Sequence, residues 1–194
     1  MLTGNRFGAI AIITVAMSMA GPGGARPSAR AADADPILKD FQSRLEQYVR
    51  LHEEQHAAVA RQNSSRGVAA NRTSADRLAA RIRAARAEAR QGDIFTPSIA
   101  ARLRSALNAE VRGASAAETR ASIRDDAPAR FMLHVNAAYP AGASFPTVPS
   151  NVLAALPELP SALEYRIVDR HLILLDVDAS IVVDYLFDVM CASC

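Results

Sequence analysis

LEYRIVDRHLILLDVDASIVVDYL, running from Leu163 to Leu186, is the densest run of β-branched and aliphatic residues beyond the first twenty. Leu163, Tyr165 and Ile167 alternate with Glu164 and Arg166, the period-two signature of a half-buried strand. Asp169-Arg170 allows a tight reversal, and His171 to Val177 follows as a strand apolar on both faces. Asp178-Ala179 reverses the chain again, and Ser180 to Leu186 returns. Three consecutive strands of this kind form an antiparallel meander, and such a sheet needs a layer over its apolar face. Upstream, Phe131, Leu133 and Val135 alternate with Met132, His134 and Asn136, which predicts one more strand and about four in all.

The covering layer lies in the N-terminal half. Asp35-Pro36 is an N-cap followed by a proline at the first helical position. Ile37, Phe41, Leu45, Tyr48, Val49, His52, His56 and Val59 then fall on one helical stripe reaching about Gln62. Thr73 and Asp76 resemble a capping box for a second helix ending near Gln91, with Leu78, Ile82, Ala85 and Ala89 as a thin apolar stripe. Thr96-Pro97 opens a third helix, in which Ile99, Leu103, Leu107 and Val111 mark the buried face. Ser115 and Glu118 suggest a short fourth, to Arg124. The proline-rich stretch from Tyr139 to Pro160 predicts a surface crossing with a single helical turn at Ser150 to Leu156. The expectation is one α+β domain over residues 32–194, helical in 35–125 and strand-rich in 131–187.

Residues 1–31 read as a signal peptide and leader: Arg6, then the apolar run FGAIAIITVAMSMA, too short to span a bilayer comfortably. Cleavage after Ala20 or, the favoured reading, after the Ala29-Arg30-Ala31 triplet would leave the rest in a bacterial periplasm or outside the cell; the rival is an uncleaved anchor, the one contact with a membrane that the sequence suggests. Removing Arg6, Arg26 and Arg30 leaves 19 basic residues against 20 acidic ones, so the basic character of the full chain argues for no nucleic-acid partner. The charge is uneven. Ten arginines stand between Arg61 and Arg104, and seven acids between Pro157 and Cys194, so the two regions either face one another or one is a binding surface. An anion-binding helix face of Arg77, Arg81 and Arg86 is a candidate.

His52-Glu53-Glu54-Gln55-His56 matches the pattern in which two histidines one helical turn apart hold zinc and the glutamate serves as general base. Against it stands Glu54, a charge where zinc-protease helices carry none, and the lack of an obvious third ligand. The alternative is that His52 and His56 border a packed stripe, and this is the favoured reading. Cys191 and Cys194 end the chain without a helix to follow them, which suits a local disulfide in an oxidising compartment better than a redox site. Asp176-Val177-Asp178 begins like a calcium loop, but Ile181 and Phe187 stand where that loop needs glycine and glutamate, so these are turn residues. His134 and His171 read as strand or rim residues.

Three strings, QGDIFTP (Gln91 to Pro97), VNAAYP with TVPSNVLAALPELP (Val135 to Pro160), and the meander itself, resemble a family of exported bacterial proteins of unknown function. The resemblance covers the second half of the mature chain and implies no activity or site residues. The favoured function is a non-enzymatic exported binding or interaction module with no cofactor, acting on an unknown protein or envelope component. The alternative is a zinc-dependent hydrolase using His52, Glu53 and His56.

Overall fold

The computed structural model describes residues 35–64, 71–112, 133–139, 148–168 and 170–189. Helix α1 spans Pro36–Ser64. Asp35 caps it as expected: its Oδ1 accepts from the Ile37 amide at 2.9 Å and the Leu38 amide at 3.4 Å, and its Oδ2 meets the Arg102 guanidinium. Phe41, Leu45, Tyr48, His52 and Val59 are buried along its stripe, but His56 is exposed. Helix α2, Asn71–Ala85, buries Leu78, Ala79 and Ile82 against α1. Helix α3, Pro97–Arg112, buries Ile99, Ala100, Leu103 and Leu107. Helix α4, Ser150–Ala155, is the single helical turn expected in the proline-rich crossing; it packs on α3, where Asn151 Nδ2 donates to Glu110 Oε2 at 2.9 Å. The short helix expected over 115–124 lies outside the described residues.

Strands β1 (Leu163–Val168), β2 (His171–Asp176) and β3 (Ile181–Leu186) form the meander, antiparallel and in sequence order. Helices and sheet together make an α+β fold. One face of the sheet, with Leu163, Tyr165, Ile167, Leu172, Leu174, Ile181 and Leu186, shares a core with the helices. The other face, with Ile173, Leu175, Val182 and Tyr185, carries a second core closed by Leu133, Val135, Ala137 and Tyr139. Two-sided burial is why β2 and β3 read as continuous apolar runs.

Two expectations are corrected. Among the described residues the sheet has three strands rather than about four. Residues 133–139 run beside β3 with a single bridge, Ala138 to Ile181, because Asn136 turns to φ 64° and breaks the extended run. Three backbone bonds, Asn136 N to Val182 O, Val182 N to Ala137 O and Tyr139 N to Ser180 O, still shield that edge of the sheet. The second difference is that α2 stops at Ala85 rather than near Gln91. Beyond it, from Gly92 on, backbone amides wrap a carboxylate on β3.

That carboxylate is Asp184. The β2–β3 register slips by one between Leu174–Asp184 and Leu175–Val182, leaving Val183 as the extra residue of a β-bulge. The bulge turns Asp184 toward the helices, fully buried. Its oxygens accept from the amides of Gly92 (3.0 and 3.2 Å), Ile94 (2.9 Å), Phe95 (2.8 Å) and Tyr185 (2.8 Å). Successive amides converging on one anion form a nest, here filled from within the chain. Gly92, at φ 91°, supplies the left-handed residue that this wrapping needs.

Candidate functional site

A second buried carboxylate, Asp176 at the end of β2, joins the sheet to α1. Tyr48 and His52 are one helical turn apart and face the same way. Tyr48 donates its hydroxyl to Asp176 Oδ2 at 2.7 Å, and His52 Nδ1 lies 2.7 Å from the same oxygen. Asp176 Oδ1 accepts from the Ala179 amide at 2.8 Å and so closes the turn into β3. All three side chains are buried, Asp176 completely and His52 to 4 % exposure. Burial and the adjacent carboxylate push the Tyr48 hydroxyl far above its usual range, so it remains a neutral donor.

The other nitrogen of His52 meets a second carboxylate. Nε2 lies 3.4 Å from Oδ2 of Asp178, which stands on the turn and is largely exposed. An imidazole with a carboxylate at each nitrogen is at its best when both nitrogens carry protons. The hydrogen bond to Asp176 raises the His52 pKa above its ordinary value; the two negative charges add to this, and burial opposes it. His52 is therefore held toward the imidazolium form.

One turn further along α1, His56 stacks on His52 with ring centroids 5.9 Å apart and planes 12° from parallel. His52, Glu53, His56, Ala57 and Asp178 line a small open cleft of about 180 Å³. A larger one of about 370 Å³ adjoins it, floored by Val59, Ala75 and Leu78 and edged by His56, Ser74 and Asp178. The HEEQH segment thus lies on a helix as expected, with both histidines on one side. Asp178, read in the sequence as a turn residue, approaches the first of them. Among the described residues, no three His, Cys, Asp or Glu side chains are grouped so as to hold a metal ion.

The three arginines do not form one open anion-binding face. Arg86 turns inward: Nη1 donates to Asn136 Oδ1 at 3.2 Å, Nη2 to the Val183 carbonyl at 3.1 Å, and the guanidinium covers the Tyr48 ring at 5.0 Å. Val183 is the residue that the bulge leaves without a partner on β2. Asn136 returns a bond from Nδ2 to the Arg86 carbonyl, and its own carbonyl accepts from Arg83 Nε. Burial lowers the Arg86 pKa, while the Tyr48 hydroxyl and nearby aspartates oppose the loss of its charge. Arg81 donates to Gln55 at 3.0 Å, across to α1, and Arg77 is half-buried. The arginine-rich and acidic halves of the chain do meet, through Arg86 and the β3 strand.

His171 packs edge-on against Phe187 at 5.1 Å and accepts from the Asp188 amide, while His134 is exposed beside the Val135 carbonyl. Both are rim residues. Cys191 and Cys194 lie outside the described residues. Among the described residues no helix is long and apolar enough to cross a membrane. No family model, curated protein or solved structure matches the chain.

Proposed function

We propose that this chain is an exported, non-enzymatic binding module that engages a protein or another envelope component through the cleft beside His56 and Asp178. The observation that carries this reading is the placement of His52 between Asp176 and Asp178. An imidazole donating from both nitrogens has no lone pair left to bind zinc or to take a proton from water. The neighbouring surface offers what a partner uses instead: an apolar floor of Val59, Ala75 and Leu78 inside a polar rim. The leader read in residues 1–31 supports export, and the charge of the remainder gives no reason to invoke nucleic acid.

A zinc-dependent hydrolase is the second reading, and one arrangement favours it. Asp176 bonds Nδ1 of His52 as an outer carboxylate does behind a zinc-bound histidine, with Glu53 on the same cleft. A photo-cross-linking residue at Ala57, compared in cells with one at exposed Ser105 on α3, tests the choice. The binding reading expects a discrete adduct from position 57 that Ala60→Arg suppresses. Equal labelling from both positions, with a hydrolytic activity lost in Glu53→Gln, would replace it with the enzyme.

A further inference from the structure

We propose that His52 and Asp178 form a proton-operated latch at this cleft: the doubly protonated imidazole holds the carboxylate on the β2–β3 turn, and loss of one proton releases it into the cleft mouth. The two bonds to His52 are unequal. Nδ1 lies 2.7 Å from fully buried Asp176, which also holds Tyr48 and the Ala179 amide and has nowhere to move. Nε2 lies 3.4 Å from an Asp178 carboxylate that is 58 % exposed. The proton that leaves is therefore the one on Nε2. What remains there is a lone pair facing a carboxylate oxygen, an arrangement that repels rather than binds. Asp178 then swings away while Asp176 keeps its hydrogen bond, so α1 and the sheet stay joined.

The groups facing His52 are few enough to name. Along α1 they are Tyr48, Glu53 and His56; from the turn come Asp176 and Asp178; from the end of α2 comes Arg86, behind the Tyr48 ring. Tyr48 stays neutral and Arg86 stays charged, so neither can gate the event. The raised His52 pKa places the release above the midpoint of an unperturbed imidazole. One proton lost makes the site one charge more negative and leaves a free carboxylate among the groups lining both clefts. That binding of a partner then depends on pH rests on the reading of the cleft just given; the latch itself does not.

Side-chain NMR on the isotopically labelled exported protein tests it directly. His52 is expected to keep both ring protons beyond pH ~6.5, the midpoint of an unperturbed imidazole. The Asp178 carboxyl carbon should shift in step with loss of the His52 proton, and Asp178→Asn should lower the pH of that loss more than Glu53→Gln does. Asp178 is exposed, so its variant folds. An Asp178 carboxyl signal that stays still through the His52 step, or an unmoved midpoint in Asp178→Asn, overturns the latch. Failure of the cross-linking experiment would remove the partner and leave these titrations as they are.

Discussion

Replacing Asp184 with asparagine changes one oxygen to nitrogen, and the surroundings make that change severe. Four backbone amides converge on the carboxylate: Ile94 and Phe95 on Oδ2, Tyr185 on Oδ1, and Gly92 on both. An asparagine that keeps its carbonyl toward Ile94 and Phe95 turns an NH₂ group toward the Tyr185 and Gly92 amides, donor against donor. A hydrogen bond to a charged group contributes about 1.5–3 kcal/mol, so two lost bonds cost about 3–6 kcal/mol. A neutral amide is cheaper to bury than a carboxylate, which returns part of this. Arg86, which feels the Asp184 charge, loses some support as well. We expect a net loss of about 3–4 kcal/mol, a large share of the roughly 5–15 kcal/mol that holds a domain together. Urea denaturation monitored by circular dichroism, extrapolated linearly to water, measures it. A loss below about 1 kcal/mol, the size of an ordinary surface substitution, would show that the 86–96 segment is not held by this carboxylate.

Three other outcomes follow from the same structure. Ile173→Asp places a carboxylate in the fully buried middle of β2, against the second core, and should remove the cooperative thermal transition; an unchanged melt would mean the sheet is not central to stability. Because His52 has a raised folded-state pKa, its contribution is complete below pH ~6.5 and is lost as pH rises through the folded value; urea midpoints should fall over that window in wild type and stay level in His52→Gln. In Gly92→Ala the new Cβ meets nothing nearer than the Phe95 carbonyl at 3.8 Å, so the cost is the positive φ, about 1–2 kcal/mol by denaturation; a neutral result would mean the turn readily adopts another conformation.

The meander and the helical stripes were legible because each is a local pattern: alternation in β1, two-sided apolarity in β2, and apolar residues three or four apart in α1. The end of α2 was not. The Ile94 and Phe95 amides are held by Asp184, about ninety residues downstream, and the Arg86 carbonyl by Asn136, fifty away; no window around Gln91 contains either. The expected fourth strand failed for a related reason. Alternation from 131 to 136 looked extended, but Asn136 is held in a left-handed turn by Arg86, itself fifty residues away. Three strings singled out in the sequence fall on this one framework: QGDIFTP wraps Asp184, VNAAYP carries Asn136, and the meander supplies Asp176 and Asp184. The site was half legible. Tyr48 and His52 stood among apolar residues in the stripe, and buried polar groups require partners, so an acceptor across the core could have been sought. Asp176 and Asp178 looked like plain turn residues, and nothing local indicates that one turns in while the other faces the cleft.

The choice between a clamped histidine and a zinc ligand comes down to the metal content of the purified protein. The purified chain, equilibrated with zinc at neutral pH and dialysed, should retain less than about a tenth of an equivalent, because an aspartate already stands at each ring nitrogen of His52 and, among the described residues, no third ligand completes a site with His56. Retention of one equivalent per chain, lost in His56→Gln, would contradict the binding-module reading and make HEEQH the metal centre of an enzyme.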